Sequence, residues 1–378
     1  MTQLNYLNKP LFEHGAIDQT SAVLRSLDIK KPLICTDKGI VGLGMVDNLR
    51  NLISNEFTFS VFEETPANPT EVAVEEAANQ FKEERCDGII GFGGGSSIDL
   101  AKAVAIKVTH KDSLANFSFN EGGMEKIHTT APVIAIPTTS GTGSEVSSGA
   151  VIIMKDGRKL VLVSPQLIPR AAICDPDLTL MLPSILTAGA GMDALTHCIE
   201  AVLSPIVDPP ADAVGLDGIE RIFHDKNLIN AVKDGTNKKA RWNMMMAATE
   251  GAMAFTKGLG AVHSMSHACG AKQDLELHHG TLNGVILPTI LRFNYGHVGK
   301  KYNKILRSMG IDKSKDLSEE IEKLNQDIGL PKNLGEMGIT TDMIPELSQH
   351  SLDDLCTLTN PRIPDLKDYE KLFIEAIG

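Results

Sequence analysis

The chain has 378 residues, of which 42% are hydrophobic and 22% charged, with a formal net charge of −12 at pH 7. That is enough chain for two domains with separate cores, and too apolar a composition for a disordered segment. An acidic balance with no run of Lys or Arg argues against a nucleic-acid or anionic-membrane surface and leaves a small molecule as the expected partner.

In chain order, "MTQLNYLNKPLFEHG" has no basic region leading into an apolar core, so no secretory signal is expected, and no apolar run approaches the roughly 18 residues of a bilayer span. "KPLICTD" (31–37), "FTFSVFEE" (57–64), "CDGIIGFGGG" (86–95), "PVIAIPTT" (132–139), "GAVIIM" (149–154) and "KLVLVS" (159–164) read as strands. "EVAVEEAANQFKEER" (71–85) and "SSIDLAKAVAIKV" (96–108) read as helices between them. The alternation predicts a mostly parallel α/β sheet with crossover helices. Near 176–185, at "DPDLTLMLPS", the texture changes to long helical patterns, including 186–204, 238–258 and 296–310. The expected division is an α/β dinucleotide-binding domain over 1–180 and an all-α domain over 181–378. Met244, Met245 and Met246 are expected to pack a core rather than bind a soft metal. The six cysteines form no CxxC pair and are expected as free buried thiols in a reducing cytoplasm.

Two loops carry a phosphate signature. "GFGGGSSIDLAK" (91–102) leaves a strand and opens a helix, so bare backbone N–H groups, hydroxyls and the helix N-terminus converge where an anion would sit. Its spacing is neither GxGxxG nor a Walker motif. "IPTTSGTGSE" (136–145) repeats the arrangement with Thr138, Thr139 and Thr142. Two such loops at strand ends suit a nucleotide. Asp37, ending "LICTD", stands where a carboxylate accepts a ribose 2′-hydroxyl and repels a 2′-phosphate, which favours NAD over NADP. The alternative is an Asp that merely starts a turn.

"GMDALTHCIEAV" (191–202) carries Asp193 and His197 four residues apart, on one face of a predicted helix. "GLGAVHSMSHACGAKQDLELHHG" (258–280) carries His263 and His267 at the same spacing, then His278 and His279. One carboxylate with two or three imidazoles suits Fe²⁺ or Zn²⁺ and suits Ca²⁺ or Mg²⁺ poorly. A cation held there would polarise an alcohol oxygen, and beside a nicotinamide that chemistry is alcohol oxidation or aldehyde reduction.

The motifs "GGGSSID", "PTTSGTGSE", "DPDLT", "GMDALTHCIE", "GLGAVHSMSHACG", "HHGTLNG" and "NPR" (360–362) span the chain, which resembles the iron-containing, or group III, alcohol dehydrogenases. The resemblance implies the dehydroquinate synthase-like fold of that family, an N-terminal dinucleotide-binding domain and a helical domain with Fe²⁺ in the cleft between them. It implies Asp193, His197, His263 and His279 as metal ligands, His279 rather than His278 because it directly precedes the glycine. It also implies His267 near the nicotinamide as a proton relay. For the cofactor it points to Asp37, Asn68, Gly94, Gly95, Ser96, Thr138, Thr139, Thr142 and Lys159; Asn68 and Lys159 are marked by the resemblance alone. A homodimer or larger assembly is likewise what the family implies.

Within the family the stretches "KDGRK", "SPIVDPPADAVGLDGIERI", "AFTKGLGAVHSMSH" and "LHHGTLNGVILPTILRFN" make the chain most similar to the 4-hydroxybutyrate dehydrogenases, which interconvert 4-hydroxybutyrate and succinate semialdehyde. The alternatives are a broad-specificity primary alcohol or diol dehydrogenase and a metal-dependent lyase of the dehydroquinate synthase type. A substrate ending in a carboxylate calls for a cation a few carbons from the reacting oxygen. Lys257, Arg170 and Arg362 are the candidates, with Gly149 as a residue that would enlarge the pocket.

Overall fold

The computed structural model describes Asn8 and residues 10–378. Six strands form a parallel sheet: β1 (Leu11–Phe12), β2 (Pro32–Cys35), β3 (Ser60–Phe62), β4 (Gly88–Gly93), β5 (Val133–Pro137) and β8 (Ala171–Cys174), in the order β1-β8-β5-β4-β2-β3. The central strands are apolar in continuous runs because both faces are covered. Alternate residues enter opposite cores: Leu33, Ile89 and Val133 on one side, Ile34, Ile90 and Ile134 on the other. The crossover helices Glu71–Glu83 and Gly95–Lys107 pack in the first of these cores. Thr70 caps the former, its hydroxyl accepting from the Ala73 N–H.

Order β4-β2-β3 places the chain reversal between β2 and β4. From β2 the chain moves outward one way to β3, and from β4 the other way to β5. In open parallel sheets this switch point is where loops part to leave a crevice.

Three expectations need correction. β6 (Gly149–Ile153) and β7 (Lys159–Val163) do not join the parallel sheet but pair with each other antiparallel. Only five residues, 154–158, link them, with Gly157 at φ 86°, and so short a connection permits only a hairpin. The place in the sheet goes to Ala171–Cys174, whose "AAIC" carries little strand signal. The strand expected over 57–64 is reduced to three residues, and the helix expected over 296–310 is confined to Lys301–Ser308 because Gly296 and Gly299 have left-handed φ of 87° and 56°.

After β8 every regular element among the described residues is helical. Two compact units result, one built on the sheet up to Thr139 and over Ser144–Thr179, the other comprising Leu180–Gly378 with Ser140–Gly143. Met244 and Met245 are buried in the helical unit, Met244 within its main core. All six cysteines are free and buried. No helix of the described residues is long and apolar enough to cross a membrane.

Candidate metal and cofactor centre

In the helical unit, Asp193, His197 and Glu200 lie on the helix Ser184–Leu203 at spacings of four and three, so all three share a face. Crossing it is the helix His279–Asn294. The crossing is close because glycine meets glycine: a Cβ on Gly280 would lie 2.2 Å from the Gly189 carbonyl oxygen. Asp193, one turn beyond Gly189, thereby meets His279. The helix Ala261–Gly270 supplies His263 and His267.

Three imidazoles converge on one carboxylate oxygen. Asp193 Oδ1 is 3.6 Å from His197 Nε2, 3.9 Å from His263 Nε2 and 3.7 Å from His279 Nε2. Donors bound about 2.1 Å from one tetrahedral ion stand roughly 3.4 Å apart, so these separations suit a cation among them. Asp193, His197 and His263 are buried, and their donor atoms all lie within 4.8 Å of one another. Burial holds the His197 imidazole down at about 4, chiefly against the pull of Asp193, so at neutral pH it is an uncharged donor. The donor set, one carboxylate and three imidazoles, fits iron or zinc.

His278 takes a different part. It caps the helix, its Nδ1 accepting from the Thr281 N–H at 3.3 Å, and lies 3.0 Å from the Thr281 hydroxyl. His279, the next residue, points its Nε2 at Asp193.

A second layer orients the imidazoles. Glu200 Oε2 is 2.6 Å from His263 Nδ1 while its Oε1 accepts from the Val262 N–H at 2.8 Å. Because a carboxylate only accepts, His263 carries its proton on Nδ1 and leaves Nε2 free to bind. Asn360, from "NPR", accepts from the Ala261 N–H and ties the same helix start to Asn294. His267 Nδ1 meets Asp354 Oδ2 at 2.9 Å, and its ring stacks on His279 at 5.3 Å. Burial alone would raise the Asp354 carboxyl, but His267 and the Cys356 N–H hold it at about 2.

Glu200, Asn283, Asp354 and Asn360 were not singled out from the sequence. Glu200 had a signal, seven residues after Asp193 on one helical face, as did Asn283, four after His279. Asp354 and Asn360 meet their partners across 87 and 99 residues, and no local pattern marks that.

In the α/β unit, most of the expected nucleotide residues gather at the carboxyl ends of β2, β4 and β5. Asp37 Oδ1 caps the short helix Lys38–Gly42, accepting from Gly39 and Ile40 N–H groups. Its Oδ2 is 3.3 Å from where a Cβ on Gly93 would lie, so this carboxylate starts the turn and also faces the glycine loop after β4. Gly93, at φ 151°, has no room for a side chain beside Ser97. Gly94 caps the helix Gly95–Lys107, Thr138 N–H donates to the Gly93 carbonyl at 2.9 Å, and Thr139 packs 3.4 Å from the Cβ position of Gly94. Ser96 hydroxyl donates to the Ala67 carbonyl. Asn68 and Lys159, 91 residues apart, meet at 3.0 Å. Thr142 groups with the helical unit.

The substrate candidates are not brought together. Lys257 is a correction: its ammonium is buried and paired with Asp212 at 2.5 Å, so it is not a free cation. Gly149 gives its carbonyl to Lys102. Arg362 lies over Phe293 at 3.9 Å with Asp368 beside it, and Arg170 is exposed.

A parallel sheet with paired glycine loops and a helical unit with a buried carboxylate and imidazole set defines a class of metal- and nucleotide-dependent oxidoreductase. The family comparison makes it particular. Residues 8–176 match the model "Iron-containing alcohol dehydrogenase" and residues 187–377 match "Fe-containing alcohol dehydrogenase family, C-terminal". The chain belongs to this family, enzymes that act on CH–OH groups with NAD and iron as cofactors. It is 43% identical over 385 aligned positions to the 4-hydroxybutyrate dehydrogenase of Cupriavidus necator, covering all of both chains. It is 34% identical to the 1,3-propanediol dehydrogenase of Citrobacter freundii, covering 98% of this chain and 97% of that one. Among solved structures, a 1,3-propanediol oxidoreductase superposes with a TM-score of 0.92 at 32% identity, covering 99% of this chain and all of the other. The sulfoacetaldehyde reductase of Bifidobacterium kashiwanohense, in complex with NAD⁺, gives 0.88 at 25%, covering 100% and 99%.

Proposed function

We propose that this enzyme interconverts 4-hydroxybutyrate and succinate semialdehyde, with NAD rather than NADP. The observation that carries the substrate is the 43% identity, end to end, with a 4-hydroxybutyrate dehydrogenase, against 34% with a propanediol enzyme. In this reading the α/β domain, 1–180, holds the dinucleotide through Asp37, Asn68, Gly94, Gly95, Ser96, Thr138, Thr139 and Lys159, with Thr142 from the adjoining loop. The helical domain, 181–378, holds the cation through Asp193, His197, His263 and His279.

When bound, the cation supplies Lewis acidity toward the alcohol oxygen and NAD supplies the hydride acceptor. The chain's own residues do the rest. Glu200 holds His263 in the tautomer that binds. Asp354 holds His267 with its Nδ1 proton engaged, so that Nε2 accepts the proton leaving the substrate. Gly189 and Gly280 let the helices that carry Asp193 and His279 approach closely.

Succinate semialdehyde and butyraldehyde differ by one carboxylate, which makes them the discriminating pair. With Fe²⁺-loaded protein and NADH under anaerobic conditions, a kcat/KM preference of about 100-fold for the semialdehyde, roughly 2.7 kcal/mol, is expected. Equal values would leave a broad alcohol or diol dehydrogenase, the reading favoured by the propanediol relatives. With the buried Lys257 ammonium neutralised by Asp212, the remaining candidates are Arg170, which is exposed, and Arg362, 39% exposed with Asp368 at 3.3 Å; replacement by Met of the one that meets the carboxylate should erase that preference. A cytoplasmic homodimer completes the proposal; light scattering on the purified enzyme tests the assembly.

A further inference from the structure

One polar group presses into the donor set without belonging to it. Asn283 sits one turn beyond His279 on the same helix and is fully buried. Its Nδ2 donates to Asp193 Oδ1 at 2.8 Å, and the same nitrogen is 3.3 Å from His263 Nε2 and 3.2 Å from His279 Nε2. Its Oδ1 is buried with no hydrogen-bond partner among the described residues.

The orientation of the carboxamide follows from charge. Turned over, the amide would set its oxygen 2.8 Å from a buried carboxylate oxygen, two acceptors face to face, so the N–H edge must face Asp193. A buried carbonyl without a donor is costly, on the order of 1–3 kcal/mol, and such a group persists only where the other end of the side chain is needed. The second N–H of that edge faces the His263 and His279 nitrogens. Glu200 fixes the His263 proton on Nδ1, so the nitrogen that Asn283 approaches carries a lone pair.

From this geometry we infer that Asn283 is the positioning residue of the metal site, resting on the reading of Asp193, His197, His263 and His279 as ligands. Before a cation arrives, the amide edge supplies partial positive charge to three of the four donors and keeps them converged. Once the cation is held, the edge keeps its hydrogen bond to Asp193 Oδ1 and fixes the angle at which the carboxylate faces the centre. Asp193 has no other side-chain partner outside the ligand set within hydrogen-bond distance among the described residues. Asn283 therefore governs how tightly, and in what ligand field, the enzyme holds its metal.

The test uses the metal-loaded enzyme and two variants. Asn283→Leu keeps the branching of the side chain and removes the donor. It should release Zn²⁺ to a colorimetric chelator at least about 10-fold faster than wild type, and its Co²⁺-substituted form should show shifted visible absorption bands. Loss of packing alone would not move those bands. Asn283→Asp, which sets a second carboxylate against Asp193 until a cation opposes both, should melt lower when metal-free and gain more in Tm on adding Zn²⁺ than wild type does. If Asn283→Leu does not fold, this comparison decides. Wild-type release and wild-type Co²⁺ bands in Asn283→Leu, or an unaltered Zn²⁺-dependent gain in Asn283→Asp, would overturn the inference. Failure of the ligand reading looks different: Asp193→Ala would then bind Zn²⁺ and Co²⁺ as wild type does.

Discussion

His267 Nδ1 and Asp354 Oδ2 lie 2.9 Å apart, both side chains nearly excluded from solvent, although 87 residues separate them in the chain. The pairing gives His267 a fixed ring orientation and a defined tautomer. Asp354→Asn can donate as well as accept, so the imidazole loses that definition while the packing is kept. The expected result is a fall in kcat of about 10²-fold with the KM for NAD unchanged, measured by steady-state kinetics. In the His267→Ala background the same change should add nothing, because the two residues act as one unit.

Asp37 caps a helix and, in the proposed reading, also faces the cofactor ribose, two roles that a single substitution can separate. Serine retains a capping oxygen for the helix Lys38–Gly42 but carries no charge. Asp37→Ser is expected to raise kcat/KM for NADPH by about 10-fold or more, since a like-charge clash is removed, with little change in melting temperature. An unchanged NADH to NADPH ratio would remove Asp37 from the cofactor site.

The Gly189 and Gly280 approach sets the distance between Asp193 and His279. Gly280→Ala puts a methyl group into the Gly189 carbonyl, a clash with rigid backbone on both sides. A stability loss of about 1–3 kcal/mol by chemical denaturation is expected, together with a lower bound-metal content by elemental analysis.

Glu250 gives stability a pH dependence away from the metal. Burial, with Asp217 beside it, pushes its carboxyl up to about 8 even though Arg221 Nε donates to it at 3.0 Å. In the unfolded chain it ionises near 4.5. Its contribution is therefore full below about pH 4.5 and is lost as pH rises through about 8. Glu250→Gln should flatten the decline in melting temperature across that window.

Much of this enzyme was legible in the chain itself. Spacings of four put Asp193 with His197 and His263 with His267 on single helical faces, and glycine followed by hydroxyl residues at strand ends marked both nucleotide loops. These are local signals, because helical and strand periodicity fix which side chains share a face within a few residues. The resemblance to a known family, carried by motifs along the whole length, supplied what local pattern did not, including Asn68 and Lys159. Where period and turn chemistry competed, the turn won: Gly157 made a separate hairpin of two strands expected in the main sheet, and Gly296 and Gly299 shortened a helix.

Tertiary structure alone decided the rest. The resemblance already preferred His279 to His278, but the physical reason His279 faces Asp193 is tertiary: where a helix cap falls and how closely two helices cross. That Lys257 is neutralised by Asp212 depends on packing across 45 residues. Glu200, Asn283 and Asp354 acquire their meaning only from partners brought within about 3 Å by the fold. Sequence period dictates the face a side chain occupies, whereas the burial of opposing faces dictates what that side chain meets, and the chemistry of this centre lies in the meeting.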